Sequence, residues 1–241
     1  MKGFSRRRVL QQGGLLAGGV ALGGVRALAQ QEAHMGMQMP AVPAGQVRPK
    51  KAKTLDAMKL ASFVDALVLP QVMKAEGRRS SEMLEAVDAP YYRVRIRMVE
   101  RKMHRDLPAS KQWSYGDGPE PVLFEAKCGE GVLIDWVNEL PAKHFLPLDS
   151  PMHDMPGLKD APETRVVTHV HGARVPSISD GYPEDWFGPG KSRLCYYPNH
   201  QDAAGLWIHD HAMGVSRLNV FAGLMGWYLL RDCLRCRRRA W

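Results

Sequence analysis

Three features of the sequence predict an all-β sandwich or barrel. Several short segments have strand character, turn residues separate them, and no convincing long helix lies between them. The clearest segment begins at Tyr91, where Tyr92, Val94, Ile96 and Met98 alternate with Arg93, Arg95 and Arg97. Successive side chains of a strand point to opposite faces, so this pattern reads as a half-buried strand with a solvated arginine face. Further strand-like runs occupy 122–127, 131–137, 165–171, 193–197, 206–210 and 223–230. Turns are supplied by Gly116-Asp117-Gly118-Pro119, by Pro141 and by Gly188-Pro189-Gly190. The 241 residues show no internal repeat and suffice for a buried core.

Three segments precede this body. Residues 1–29 read as an export signal: Ser5-Arg6-Arg7-Arg8 opens a basic region, and an apolar run follows from Gly13 to Val25. Ala27-Leu28-Ala29 then places small residues before a cleavage site at Gln30. The paired arginines resemble a twin-arginine signal, which exports folded proteins to the periplasm or beyond. The apolar run is too short and glycine-rich to span a membrane, so no membrane span is expected. Residues 30–53 read as a flexible linker rich in Met, Pro and Lys, with His34, Met35, Met37 and Met39 clustered in it. Thioethers suit Cu(I), so this cluster reads either as a transient copper site or as an incidental tail. Residues 54–90 read as an N-terminal arm packed against the body, with near-helical apolar spacing at Leu55, Met58, Leu60, Phe63, Val64 and Leu67 that Pro70 ends.

The formal charge of +8 lies at the ends. Residues 1–29 carry +5 and residues 231–241 carry +4, which leaves 30–230 at −1. A near-neutral body has no footprint for a phosphate backbone, so no nucleic-acid partner is expected. Of the four cysteines, Cys128 and Cys195 fall in the body, where they either pair or stay as buried thiols. Cys233 and Cys236 have C-x-x-C spacing without a second half, a weak metal or redox signal.

The chemistry concentrates in two His-x-His pairs, Thr168-His169-Val170-His171-Gly172 and Trp207-Ile208-His209-Asp210-His211-Ala212. On a strand, residues two apart share a face about 6.5–7 Å apart along the chain, so each pair projects its imidazoles together. Imidazole binds copper, zinc and iron without changing charge at neutral pH. Two strands facing each other can present four imidazoles to one cavity, each pair serving two neighbouring metals or sharing one. Packed, hydrogen-bonded core histidines are the competing reading, and two pairs in strand-like context within so short a span weigh against it. Val166, Val167, Val170, Leu206, Trp207 and Ile208 would supply a dry shell. Asp210 would point to the face opposite its neighbours, as a structural residue.

These motifs resemble the first two copper motifs of multicopper oxidases, in the spore-coat laccase and bilirubin oxidase branch. Further matching stretches are Met103-His-Arg-Asp-Leu-Pro108, Trp136-Val-Asn-Glu-Leu-Pro141, His144-Phe-Leu-Pro-Leu148, Ser179-Asp-Gly181, Pro183-Glu-Asp-Trp-Phe187, Tyr197-Pro-Asn199-His-Gln201 and Arg217 through Gly226. The resemblance covers about 54–232 and implies a cupredoxin-like Greek-key β-sandwich or barrel over 91–232. It implies an oxidoreductase that couples oxidation of phenols, related small aromatic donors or metal ions to reduction of O₂ to water. By position, His169 would ligate the type 2 copper and His171, His209 and His211 the type 3 pair. Asp180, within Ser179-Asp180-Gly181, would help deliver protons, unless it is a turn residue capping Gly181. His104, His144, His153 and His200 match no ligand position.

The family pattern also contains a second set of four cluster histidines and a His-Cys-His run feeding a mononuclear copper. Neither occurs in these 241 residues, and Cys128 and Cys195 lack flanking histidines. After Asp232 the resemblance stops, and the Cys/Arg-rich run 233–241 has the composition of a shifted reading frame. The sequence is thus expected to be the N-terminal copper-binding domain of an exported laccase-like oxidase. It would be a truncated product, inactive alone, with half the trinuclear-cluster ligands; a non-enzymatic periplasmic copper-binding protein is the alternative.

Overall fold

The alternating run at Tyr91 is the middle of the longest strand of a computed structural model that describes residues 55–148 and 158–232. The signal segment, the methionine-bearing linker, His153 and the tail with Cys233 and Cys236 lie outside the described residues. Contacts divide the chain into Met1–Ala57 and Met58–Trp241, and the sheets belong to the second unit. Its strands are β1 (Gly77–Ser81), β2 (Ala86–Arg101), β3 (Ser110–Tyr115), β4 (Val122–Lys127) and β5 (Val132–Asn138). They continue as β6 (Thr168–His171), β7 (Ser192–Tyr197), β8 (Ala204–Asp210) and β9 (Met225–Arg231). Two short helices interrupt them, α1 (Ser177–Asp180) and α2 (Ser216–Ala222).

The strands form two mixed sheets. One runs β1-β2-β5-β7, with β3 paired to the far half of β2, and the other runs β4-β9-β8-β6. Within them β2 lies parallel to β5 and β4 parallel to β9, while the remaining pairs are antiparallel. Their inner faces meet in one apolar cluster, with Val94, Ile96, Ile134 and Trp136 from the first sheet against Phe124, Val170, Ile208 and Tyr228 from the second. This is the all-β, cupredoxin-like sandwich expected. The arginines of β2 fall outside, where Asp135, Asp117 and Glu139 pair with them. Past Ile96, β2 has left β5 and pairs with β3 alone, so Met98 is exposed rather than buried.

Three local expectations need correction. The helical spacing in 54–75 yields only the 3-10 turn Ala57–Lys59, and Met58, Phe63 and Leu67 are exposed. Spacing alone does not hold a helix that has nothing to bury its apolar face against. The arm instead joins the body in extended form, through a parallel bridge from Val72 to Leu123 and a bond from Met73 N to Leu123 O. Past Pro70 the segment 54–90, expected to be an arm, itself contains β1, hydrogen-bonded to the start of β2. The run 165–171 gives only the four-residue β6, because Val166 turns aside to bridge Phe187. Cys128 and Cys195 are both buried and form no disulfide; burial pushes the Cys195 thiol up to about 12. No helix among the described residues is long and apolar enough to cross a membrane.

Trp136 is fully buried on β5, and its Nε1 donates to Tyr197 Oη at 3.2 Å on β7. Trp136→Ala is expected to lower stability by about 3–5 kcal/mol, read by urea denaturation.

Candidate metal centre

The four histidines come together on the outer face of the second sheet. β6 and β8 are antiparallel neighbours at one edge, and their register sets His169 opposite His209 and His171 opposite Trp207. The two strands thus lie side by side in one sheet; they do not face each other across a cavity. Alternation sends His169 and His171 outward and Thr168 and Val170 inward. His211 lies one step beyond β8, where its N–H still donates to Val167 O at 2.8 Å. Ring centroids fall 5.6 Å apart for His169–His171, 5.3 Å for His169–His209, 4.9 Å for His169–His211 and 5.5 Å for His209–His211.

Main-chain carbonyls fix which ring nitrogens are available. His169 Nδ1 lies 2.5 Å from Asp180 O, His209 Nδ1 2.8 Å from Asp210 O, and His211 Nδ1 3.0 Å from Gly181 O. A nitrogen bonded to a carbonyl must carry hydrogen, so each neutral ring keeps its lone pair on Nε2. His171 differs, for its Nδ1 lies 3.4 Å from His209 Nε2. With its hydrogen on Nε2, His171 would offer Nδ1 to a metal ion, as His209 would offer Nε2. Donor atoms of His169, His171 and His209 all lie within 4.8 Å of one another, close enough to hold one metal ion. Oriented, neutral imidazoles with their second nitrogens tied back are what a metal ligand set requires. Burial lowers the pKa of His209 and outweighs the bond to the Asp210 carbonyl, which raises it; the other three imidazoles lower it further, which favours the neutral ligand form.

The apolar shell does not lie where the sequence places it. Val166, Val167, Val170, Leu206 and Ile208 are buried in the interior and do not surround the imidazoles. Of the six residues expected to form it, only Trp207 shares the outer face, stacked on His209 at 4.1 Å. His171 is exposed, so the group is open on that side.

Asp180 ends α1 and Gly181 follows with φ 84°, a left-handed cap. A methyl group at Gly181 would sit 2.5 Å from Thr168 O, so the loop can approach β6 only with glycine there. Asp180 terminates the turn, and its Oδ1 lies 3.5 Å from His169 Nδ1. Its carbonyl and that of Gly181 orient two of the imidazoles, a role the motif Ser-Asp-Gly did not suggest. His200 is exposed. His104 bonds Ala61 O and the Asp106 N–H, and His144 is buried against Trp113, so neither lies with the cluster.

Beneath the face lies a buried polar platform. Asp210 is fully buried, and its carboxylate accepts from Val167 N at 2.9 Å, Ala212 N at 3.2 Å and Asn219 Nδ2 at 2.8 Å. Burial pushes this carboxyl up to about 7, against the pull of those donors. Asn219 also donates to Arg165 O at 3.0 Å. Arg165, itself fully buried, grips Met213 O through Nε and Nη2 and Pro162 O through Nη1. Asn219 and Arg165 were missed from sequence; the one available signal was a charge set in a buried strand run. These three donors to the Asp210 carboxylate are all N–H groups, so Asp210→Asn must turn its amide toward a donor. That variant is expected to lose about 1–3 kcal/mol of stability and about ten- to a hundredfold in metal affinity, measured by denaturation and by metal titration.

No protein-family model matches the chain. It is 45% identical to a laccase of Bacillus stratosphericus and 42% identical to a laccase of Bacillus subtilis strain 168, each over 184 residues. Those matches cover 73% of this chain and 34% of each relative, so the chain spans about a third of the length of the curated relatives it matches. A multicopper oxidase structure from Pediococcus acidilactici superposes with a TM-score of 0.56 at 20% identity, over 82% of this chain and 34% of that one, a likeness of fold. Over the matched part of its length, the chain belongs to the laccase-like multicopper oxidases.

Proposed function

We propose that His169, His171, His209 and His211 are copper ligands, supplying half of a trinuclear cluster in an exported laccase-like oxidase. One observation carries this reading: three imidazoles from adjacent strands bring their donor atoms within 4.8 Å, with the second nitrogens of His169 and His209 held by main-chain carbonyls. His169 corresponds to the type 2 ligand, and the other three to the type 3 pair. Copper bound there would supply the one-electron steps that join oxidation of a small aromatic or metal-ion donor to reduction of O₂. Asp180, 41% exposed and beside His169, stands between solvent and the ligands, where a carboxylate can take up and pass on a proton. Trp207, Met225 and Trp227 are exposed on the same face, and Trp207 pairs with Trp227 as His209 does with Met225. That apolar rim suits a surface covered by protein carrying the remaining ligands. Export by a twin-arginine route is supported by Ser5-Arg6-Arg7-Arg8 and Ala27-Leu28-Ala29.

These 241 residues hold no cysteine flanked by histidines, so by themselves they provide no thiolate–copper entry for electrons. The purified 241-residue chain mixed with copper should show no intense blue thiolate absorption and negligible oxidation of a phenolic dye. Its copper uptake should fall at least about tenfold in His169→Ala or His209→Ala, the loss of one positioned ligand, and stay unchanged in His200→Ala. Blue colour with turnover, or undiminished uptake by both cluster variants, contradicts the assignment.

A further inference from the structure

Among the described residues, His144 is the buried histidine that the metal centre does not use. It is 9% exposed and lies on Trp113 with ring centroids 4.0 Å apart. Its own N–H donates to Glu163 Oε2 at 3.2 Å, and its Nδ1 accepts from Leu146 N at 3.0 Å. An accepting Nδ1 forces the hydrogen of the neutral ring onto Nε2. That Nε2 is buried without a partner inside ordinary hydrogen-bond limits, and so is Asn219 Oδ1. Asn219 cannot be turned around, because its Nδ2 already serves two acceptors, Arg165 O and Asp210 Oδ1. His144 Nε2–H is thus a buried donor and Asn219 Oδ1 a buried acceptor, and the two are complementary; Trp113 Nε1, on the ring beneath His144, is a second buried donor without a partner. Leaving each alone costs about 1–3 kcal/mol, which favours closing the pair. Burial lowers the His144 pKa, while hydrogen bonding by Asn219 and the charge of Glu163 raise it, consistent with the two side chains being neighbours.

We propose that His144 is a positioning residue for the metal centre, donating Nε2–H to Asn219 Oδ1 and so locking the amide that holds Asp210 between His209 and His211. Asp210 in turn holds Val167 N and Ala212 N, which flank the two ligand-bearing strands. The relay thus reaches from a ring on Trp113 to the backbone that aims two imidazoles. This inference rests on the metal-centre reading and adds to it a residue outside every ligand position.

The test uses the full 241-residue chain, with cobalt(II) as a spectroscopic probe of the site. Nitrogen-15 NMR of the histidine side chains should show His144 of the wild type as the Nε2–H tautomer. His144→Leu, which keeps bulk but donates nothing, should weaken cobalt(II) affinity by about ten- to a hundredfold and alter the d–d spectrum. His144→Gln, whose amide can still donate to Asn219, should restore most of the affinity and the wild-type spectrum. An Nδ1–H tautomer overturns the proposal, as does a folded His144→Leu chain that binds like wild type, or a folded His144→Gln chain as weak as the leucine variant. If the leucine variant does not fold, the tautomer and the glutamine variant decide. A wild-type chain that takes up no cobalt overturns the metal centre itself, a result distinct from equal affinity in the folded variant.

Discussion

The register between β6 and β8 is the constraint on which the site depends. With Thr168 opposite Asp210 and His169 opposite His209, both strands turn imidazoles outward and keep Val170 and Ile208 in the core. A slip of one residue would bury the histidines and expose the valine and isoleucine, so the hydrophobic core itself specifies the register. Because the strands are adjacent in one sheet, the imidazoles stand on a shared face at cross-strand spacing. The core thereby does the gathering, and no loop closure is needed for three of the four rings.

What register does not fix is the direction in which each ring points. That is the work of polar groups brought from elsewhere in the chain: the carbonyls of Asp180 and Gly181 from the end of α1, and Asp210 held by Asn219 of α2. α1 is itself tied down, since Ser179 Oγ accepts from Tyr196 N on β7 in the other sheet. The face is therefore steered from both sheets. The cost is a set of buried polar atoms, Asp210, Arg165 and Asn219, which are tolerable only because they answer one another.

Much of this was legible in the residues, for reasons that also explain what was not. The β2 alternation survives because its arginines have solvent and acidic partners on one side. The four histidines were legible because a period-two pattern translates directly into a shared face. The strand β3, Ser-Lys-Gln-Trp-Ser-Tyr, lacks alternation until its last residues, and its exposed first half pairs only with the far end of β2. The arm misleads because helical spacing carries no record of whether a packing surface exists. At the site, the motif Ser179-Asp180-Gly181 drew attention to a carboxylate, whereas the contacts that orient imidazoles are made by backbone oxygens, which have no sequence signature. Asn219 acts through distant partners, so no local pattern marks it, and Arg165 shows only as a charge at the start of an apolar run.

X-ray absorption at the copper edge, on the copper-loaded 241-residue chain, tests the central assignment most directly. It reports the atoms bound to the metal whether or not the chain turns over any substrate. Imidazole nitrogens from the β6–β8 face should dominate the copper environment, with their outer-ring scattering lost when His169 and His209 are both replaced by alanine. A copper environment dominated by sulfur, from Met35, Met37 and Met39 or from a cysteine, would contradict it and place the metal elsewhere in the chain.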